Sequence, residues 1–314
     1  MTSLVAALHY LRLRVLVGLI RLIVRLLTPR VQAKPDEVLR VPSRDLGRTI
    51  RAHIYSSLPV TSTDGDGLDE ASQPRVLRPV LINFFGSGFA LPSFGADDAF
   101  CREISRRTGH VVLDVDYRLG PENPFPAAIH DVEDVVHYVL SHPDIYDVSH
   151  ISISGFSSGG TLALVVPMLF RANTFRSLIA FYPSVSMVKD PSQRKAPVKG
   201  PDRGRAPQFW TRLFREAYLG GMDPRDPRIS PLYANKVNYP RNMLVFTADY
   251  DASASEAEEF AKMAEANVQA SGGRVELRRM RGCGHNFDKS KRNATARTEA
   301  YTAVVNLLNQ VLTD

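Results

Sequence analysis

The stretch that decides the fold spans residues 150 to 164 and reads His-Ile-Ser-Ile-Ser-Gly-Phe-Ser-Ser-Gly-Gly-Thr-Leu-Ala-Leu. An apolar alternation typical of a β-strand leads into a Gly-x-Ser-x-Gly turn, and a helical pattern follows the turn. This order predicts a nucleophile elbow, in which Ser157 occupies a sharp, strained bend at the carboxyl end of a central strand. Gly155 and Gly159 are needed there because a β-carbon at either position would have no room.

The pentapeptide alone is moderate evidence, since about one chain in ten of this length contains one by chance. Strand and helix patterns on both sides of it support the prediction. Strands are predicted at Glu37–Ser43, Thr49–Tyr55, Val80–Phe85, Val111–Asp116, Ile151–Ser154, Leu178–Tyr182, Met243–Thr247 and Val275–Met280. Helices are predicted at Asp97–Arg107, Ala127–Leu140, Ser158 to about Arg171, Glu256–Ala270 and about Ala294 to Leu312. The pattern predicts an α/β fold, a mostly parallel sheet with helices on both faces and an antiparallel edge hairpin.

The alternation breaks after the strand at residues 178–182. Basic residues and prolines are followed there by an aromatic helical segment, which is typical of a cap or lid, with a long structural excursion as the alternative. Residues 60–75 carry few large apolar side chains and are predicted to be an exposed loop. The predicted organisation is an N-terminal helix with part of the cap at 1–45, a first core part at 46–184, the cap insertion at 185–237 and a second core part at 238–314.

Residues 4–28 are apolar but contain Arg12, Arg14, Arg21 and Arg25. No uncharged run approaches the ~20 residues that a spanning helix needs, and the arginines also break the apolar core of a signal peptide. The spacing predicts a basic amphipathic helix. It either packs on its own protein with the arginines in water or makes peripheral contact with a membrane surface, and the two interpretations are compatible.

The composition excludes several classes of function. The chain of 314 residues carries a net charge of +6, but it has no basic stripe interleaved with aromatic residues, so no nucleic-acid partner is expected. Two cysteines, Cys101 and Cys283, form no disulfide framework and favour a reducing, cytoplasmic location, with membrane association if the N-terminal helix docks. No His-Glu-x-x-His motif is present, and neither a metal nor a cofactor is expected. The sequence does not indicate an oligomeric state.

A serine nucleophile needs a general base, and that base needs an acid to fix its tautomer. His285 is the best placed of eight histidines, because it lies in a glycine-flanked loop directly after a predicted strand. Asp249 and Asp251 both follow the strand before that one, which produces the chain order Ser, Asp, His that accompanies such an elbow. Asp251 is the predicted acid and Asp249 is the alternative.

A tetrahedral intermediate also needs backbone N–H groups that bind its oxyanion. One donor is expected from Ser158, the residue after the nucleophile. The glycine-rich turn Phe85-Gly-Ser-Gly-Phe89, which follows the first predicted parallel strand, is the expected source of the second. The predicted oxyanion hole therefore consists of Gly86, Ser87, Gly88 and Ser158.

Several separated blocks resemble those of the hormone-sensitive-lipase-like group of α/β-hydrolases, which are carboxylesterases and lipases. Residues 85–89 look like the His-Gly-Gly-Gly block of that group, and residues 116–122, Asp-Tyr-Arg-Leu-Gly-Pro-Glu, are similar to its Asp-Tyr-Arg-Leu-Ala-Pro-Glu block. Residues 155–160 match its nucleophile elbow, and residues 223–232 and 282–287 resemble its later segments. The resemblance runs from about residue 80 to the C-terminus and implies an α/β-hydrolase fold with a helical cap.

The resemblance implies a serine esterase that cleaves a short- to medium-chain carboxylic ester through an acyl-enzyme, with Ser157, Asp251 and His285 as the catalytic triad. The expected partner is a small-molecule ester. Two alternatives stay open. One is a thioesterase, lactonase or deacetylase that acts on a secondary metabolite, because the cap shapes the pocket. The other is a non-catalytic protein that binds a small molecule on the same scaffold.

The chain departs from the family pattern at two places. Phe85 replaces the histidine of the glycine block and Ser87 replaces its middle glycine, so the loop lacks the brace that the histidine provides, although backbone N–H donors survive both changes. The acid block reads Asp251-Ala-Ser-Ala-Ser-Glu256 where the family usually has Asp-Pro-Leu-Arg-Asp-Glu. The resemblance further implies structural ion-pair roles, behind the site, for Asp116, Arg118 and Glu122.

Overall fold

The computed structural model describes residues 3–28, 31–57, 77–200, 206–235, 237–270 and 272–313, so the loop predicted at residues 60–75 lies outside the described residues. The strands are β1 (Glu37–Pro42), β2 (Thr49–Tyr55), β3 (Arg78–Phe84), β4 (Val111–Val115), β5 (Tyr146–Phe156), β6 (Ser177–Phe181), β7 (Asn242–Ala248) and β8 (Arg274–Met280). The helices are α1 (Ser3–Leu27), α2 (Asp98–Thr108), α3 (Ala127–Leu140), α4 (Ser158–Val165), α5 (Gln208–Leu219), α6 (Ala254–Gln269) and α7 (Ala294–Gln310).

All eight strands form one sheet in the order β1-β2-β4-β3-β5-β6-β7-β8. β1 pairs antiparallel with β2, and β2 pairs antiparallel with β4, which confirms the predicted edge hairpin. The six remaining strands are parallel to one another. Their carboxyl ends therefore meet at one edge of the sheet, where open α/β sheets place their ligand sites.

Apolar layers cover both faces of the sheet. On one face α3, α4 and α6 pack against the strands, and on the other face α2 and α7 do so. The parallel strands inside the sheet are accordingly rich in buried apolar residues, and in β4, for example, every residue is buried, whereas the edge strand β8 is partly exposed. Removing such side chains from water supplies most of the stabilisation of the core, at roughly 25 cal/mol per Å² of apolar area.

Two boundaries differ from the prediction by more than two residues. The helix after Ser157 ends at Val165 and continues as a 3-10 turn to Leu169, because Pro167 has no N–H to donate and its ring disfavours a continued α-helix. β5 begins at Tyr146, five residues before the predicted start. Tyr146 and Val148 alternate with polar residues, but this alternation is out of phase with that of Ile151 and Ile153, and the pairing of β3 with β5 shifts register at this point.

Helix α1 packs on α5, which lies within the predicted insertion. Leu13, Val17 and Ile20 form a small apolar cluster with Leu213 and Phe214. Packing of α1 on its own protein is thus observed, and none of the helices in the described ranges is long and apolar enough to cross a membrane.

The prediction that the arginines of α1 point into water is wrong for Arg21. Its guanidinium donates to Glu122 at 2.9 Å and to the backbone oxygens of Ala90 and Gly120 at 2.8 and 2.7 Å. These partners come from loops at the end of the sheet, far from α1 in sequence, so the helical spacing of the arginines contains no signal for them.

Candidate active site

Ser157 occupies the turn between β5 and α4 in a strained conformation, with φ 52° and ψ −114°. The turn is tight enough to exclude β-carbons on either side. A Cβ at Gly155 would lie 2.2 Å from the carbonyl oxygen of Gly159, and a Cβ at Gly159 would lie 1.9 Å from that of Phe84. Only glycine fits at both positions, and the bend holds the serine at the carboxyl end of a central strand.

The structure brings Ser157, His285 and Asp251 together from three separate loops. His285 follows β8 and places its Nε2 2.9 Å from the Oγ of Ser157. Asp251 follows β7, and its Oδ2 lies 2.8 Å from the Nδ1 of His285. Both distances are within the range required for proton transfer from a nucleophile to a base and for orientation of that base.

Asp249, the alternative acid, has a different contact. Its Oδ2 accepts the backbone N–H of Gly282 at 2.8 Å. Gly282 has a φ of +66°, a conformation that glycine adopts without strain, and it begins the loop that carries His285. The structure therefore places Asp251 against the imidazole and Asp249 beneath the loop.

The electrostatic surroundings shift the pKa values of His285 and Asp251 in opposite directions. Burial pushes the pKa of His285 down, but the adjacent Asp251 carboxylate outweighs it, so the pKa of His285 is raised above its usual value. Burial pushes the pKa of Asp251 up, but His285 and the N–H of Ser253 more than compensate, so its pKa is lowered. Near neutral pH the ionised Asp251 accepts from Nδ1–H, which leaves Nε2 free to accept from Ser157 once the imidazole is neutral.

The predicted oxyanion residues surround the same serine. Ser158 is the first residue of α4, so its N–H has no acceptor within the helix. Among the described residues, the N–H groups of Gly86 and Gly88 also have no hydrogen-bond acceptor. The N–H of Ser87 differs, because it donates to the Oγ of Ser158 at 2.9 Å. The available donors are therefore those of Gly86, Gly88 and Ser158.

A hydroxyl cluster formed by Ser87, Tyr117 and Ser158 braces this glycine loop. Ser87 Oγ lies 2.9 Å from Tyr117 Oη and 3.1 Å from Ser158 Oγ. Tyr117 Oη also donates to the carbonyl oxygen of Phe85 at 2.6 Å, and the Tyr117 ring stacks on the Phe85 ring with centroids 4.4 Å apart. The two residues that replace the family's histidine and glycine thus take part in a different brace. Sequence reasoning missed Tyr117, although its place in the Asp-Tyr-Arg-Leu block was a signal.

An ion cluster with two buried carboxylates and a partly exposed lysine holds the other side of the site. It consists of Asp97, Asp288 and Lys289, together with Tyr182 and Tyr301. Lys289 Nζ lies 2.6 Å from Asp97 and 2.8 Å from Asp288, and both tyrosine hydroxyls donate to Asp288. The Tyr182 ring lies 4.8 Å from the imidazole of His285. The cluster therefore fixes both the loop that carries His285 and a ring that packs beside it.

The carboxylates of Asp97 and Asp288 stabilise the positive charge of Lys289. Burial pushes the pKa of Lys289 down, but the carboxylates of Asp288 and Asp97 raise it well above its usual value. The lysine consequently stays charged, with its side chain 31% exposed and its Nζ 4.0 Å from the centre of the Phe156 ring. Sequence reasoning missed these residues because charged side chains at a helix start and in a loop are usually solvated.

The residues implied to be structural ion-pair partners do form such pairs. Asp116 pairs with Arg51 at 2.9 Å, Arg118 pairs with Asp131 at 2.8 Å, and Glu122 pairs with Arg21. These contacts connect the loop after β4 to the edge hairpin, α3 and α1. They stabilise the scaffold behind the glycine loop.

A cavity of about 280 Å³ opens beside Ser157. Leu91 and Phe89 line the side of the glycine loop, and Met187 and Phe214 add apolar surface to the lining. These last two residues belong to the segment after β6, which supplies much of the lining. Among the residues that the structure describes, no group of histidine, cysteine and acidic side chains could hold a metal ion.

This fold and this arrangement around Ser157 define a protein of the α/β-hydrolase class. A family model described as alpha/beta hydrolase fold matches residues 81–289. The chain therefore belongs to that family, which includes the hormone-sensitive-lipase-like carboxylesterases, and the resemblance drawn from the sequence is confirmed.

Known esterases are similar to this chain in structure and sequence. The esterase of Pyrobaculum calidifontis superposes with a TM-score of 0.74 at 26% identity and covers 97% of this chain and 94% of its own. EstE1, a thermostable carboxylesterase cloned from a metagenomic library, superposes with a TM-score of 0.71 at 28% identity. The match covers 95% of this chain and 97% of EstE1. The carboxylic ester hydrolase LipN of Mycobacterium tuberculosis is 30% identical over 223 residues, which are 67% of this chain and 57% of LipN. The match thus spans little more than half of LipN.

Proposed function

We propose that this protein is a serine carboxylesterase that hydrolyses short- to medium-chain carboxylic esters through an acyl-enzyme. The observation that carries the proposal is the unbroken hydrogen-bonded chain from Ser157 Oγ through His285 to Asp251, with distances of 2.9 and 2.8 Å. The relatives named as esterases support it, since they share the fold and most of the chain's length in the superposed structures.

In the proposed mechanism, neutral His285 takes the proton of Ser157 while Oγ attacks the ester carbonyl carbon. The N–H groups of Gly86, Gly88 and Ser158 stabilise the negative charge that develops on the carbonyl oxygen. The imidazolium then gives its proton to the leaving alkoxide, so the alcohol departs and an acyl-serine remains. In the second half, His285 takes a proton from water, hydroxide attacks the acyl carbon, and the proton returns to Ser157 as the acid leaves.

The size of the cavity supports a short acyl chain. Its volume of about 280 Å³ is at the lower end of the roughly 300–1,000 Å³ that is usual for small-molecule pockets. Apolar side chains such as Met187 and Phe214 provide surface for an alkyl group, and the two arginines in the lining, Arg194 and Arg215, each donate to a backbone oxygen. We expect kcat/KM for p-nitrophenyl esters to be highest for acetate to hexanoate and to fall for longer chains.

Active-site labelling followed by mass spectrometry tests the proposal. A fluorophosphonate probe should modify Ser157 of the wild-type protein, and Ser157→Ala should abolish both labelling and hydrolysis of p-nitrophenyl butyrate, with a loss in kcat of up to about 10⁶-fold. Ser93→Ala is the matched control, because it removes a hydroxyl from the same cavity and should be labelled normally. Labelling elsewhere, or full turnover by Ser157→Ala, would contradict the proposal.

The same acyl-enzyme chemistry applies to thioesters and lactones. Comparing butyryl esters, a butyryl thioester and a butyrolactone at equal concentrations ranks these substrate classes. Tight binding of a small molecule without any probe labelling would instead support the non-catalytic binding protein.

A further inference from the structure

Helix α1 exposes an apolar face along its whole length. Its opposite face, with Leu13, Val17 and Ile20, is buried against the protein. Seven apolar side chains recur every three or four residues on the outer face and are 51 to 74% exposed. This apolar stripe consists of Leu4, Leu8, Leu11, Val15, Leu19, Leu22 and Leu26. At 1.5 Å per residue it is about 33 Å long.

The stripe exceeds what single exposed apolar residues account for. Scattered leucines are normal on protein surfaces, but a continuous apolar row bordered by charges marks an interaction site. The first two turns of α1 add to it, because residues 4 to 12 are exposed on every side. This end of the helix projects from the described body of the protein.

Arginines border the stripe on both sides. At 100° per residue, Arg12 falls on one side, and Arg14 and Arg25 fall on the other. Arg12 and Arg14 pair with Glu216 and Glu122 but remain about half exposed, and Arg25 is exposed and has no carboxylate partner among the described residues. The helix sequence contains no aspartate or glutamate.

We propose that α1 docks lengthwise on an anionic membrane surface. The apolar stripe would lie at the boundary between headgroups and acyl chains, and Arg12, Arg14 and Arg25 would lie at the level of the lipid phosphates. The charges favour lipid over a second copy of this chain. Two α1 helices packed stripe to stripe would bring arginines together with no helical carboxylate to compensate, whereas anionic headgroups complement them.

Docking in this way holds the cavity near the membrane surface, on the protein side of α1. The buried side of α1 contacts Phe214, and Leu91 packs against the same cluster. Both side chains also line the cavity beside Ser157. The docking itself goes beyond the proposed function and does not depend on it.

Vesicle flotation of the full chain tests the inference. The protein should bind vesicles of phosphatidylcholine and phosphatidylglycerol (7:3) at least about tenfold more strongly than pure phosphatidylcholine, as expected for several arginines at about 1 kcal/mol each. Leu11→Gln/Leu19→Gln should weaken binding by about 100-fold, because two leucines that are partly buried in lipid in the docked state are lost. Leu46→Gln is the matched control, since Leu46 is fully exposed outside α1, and it should bind as wild type does.

Three results would overturn the inference: no binding of the wild type to anionic vesicles, undiminished binding of the double variant, or a dimer that the double variant abolishes while no vesicle binding occurs. The last outcome would assign the stripe to self-association. Ser157→Ala should bind vesicles normally, and the double variant should hydrolyse p-nitrophenyl butyrate normally in vesicle-free buffer. Failure of docking is thus distinguishable from failure of the proposed esterase activity.

Discussion

Two loops meet at Ser157, and they are held in place by different chemistry. The glycine loop, residues 85–89, rests on the neutral hydroxyl cluster of Ser87, Tyr117 and Ser158. The histidine loop, residues 281–289, rests on the ion cluster around Lys289. One brace is made of hydrogen bonds between uncharged groups, and the other is made of two buried carboxylates that share a partly exposed lysine.

This difference has consequences for stability and for catalysis. A neutral hydrogen bond adds about 1 kcal/mol net, so loss of one member of the hydroxyl cluster should loosen the donors without unfolding the protein. Removing Lys289 leaves two buried carboxylates without their counter-charge, which costs about 1–3 kcal/mol because the lysine is itself partly in water. We therefore expect substitutions in the brace of the glycine loop to lower mainly kcat. Substitutions in the brace of the histidine loop should lower mainly the free energy of unfolding.

The largest expected effect concerns Asp251 and Asp249, the two carboxylates near His285 and its loop. Asp251→Asn should lower kcat by about 10⁴-fold, because the amide no longer fixes the tautomer of His285 or stabilises its cation. Asp249→Asn is the matched control and should lower kcat by less than about tenfold, since Asp249 only accepts the N–H of Gly282. Steady-state kinetics on p-nitrophenyl butyrate compares the two variants, and equal losses would mean that the carboxylates share one role.

The next effect tests the ion cluster. Lys289→Met should lower the free energy of unfolding by about 1–3 kcal/mol, because the buried carboxylates of Asp97 and Asp288 lose their counter-charge while Lys289 itself is partly in water. The exposed neighbour Lys291 provides the control, and Lys291→Met should change stability by less than about 0.5 kcal/mol. Urea denaturation followed by circular dichroism measures both variants. A midpoint that Lys289→Met leaves unshifted would show that the cluster does not hold the histidine loop.

A smaller effect tests the hydroxyl cluster. Tyr117→Phe removes the bonds to Phe85 and Ser87 but keeps the ring stacked on Phe85. It should lower kcat by about tenfold, less than the loss of a direct oxyanion donor, and leave KM almost unchanged, because the donors are loosened and the cavity is not. Tyr233→Phe, at an exposed tyrosine, should behave as wild type. A change confined to KM would place Tyr117 in substrate binding instead.

The smallest expected effect is a shift in the midpoint of the pH dependence of kcat/KM. In the proposed mechanism neutral His285 is the base, and its pKa is raised, so kcat/KM should rise with pH and reach half its maximum above pH 6.5. Asp251→Asn should move that midpoint down, because it removes the charge that favours the imidazolium. Tyr117→Phe should leave it in place, since the hydroxyl cluster carries no charge. A midpoint that follows Tyr117→Phe rather than Asp251→Asn would break the distinction between the two braces.

Much of this arrangement could be predicted from the sequence because its signals are local. Runs of apolar residues identify parallel strands that are buried on both faces, and a tight turn identifies itself through Gly155 and Gly159. His285 stands out because glycines flank it directly after a strand. Each of these signals is complete within about ten residues, so none needs knowledge of the folded chain.

Only the tertiary structure decided between Asp249 and Asp251, because both follow β7 and the path of the loop determines which carboxylate reaches His285. It also decided that Ser87, Tyr117 and Ser158 replace the missing histidine brace, and that Asp97 lies against Lys289, which is 192 positions away in the sequence. Contacts between residues so far apart leave no periodic pattern in a single sequence. The sequence alone determined the strands, the helices and the tight turn that carries Ser157, and packing determined which side chains hold them in place.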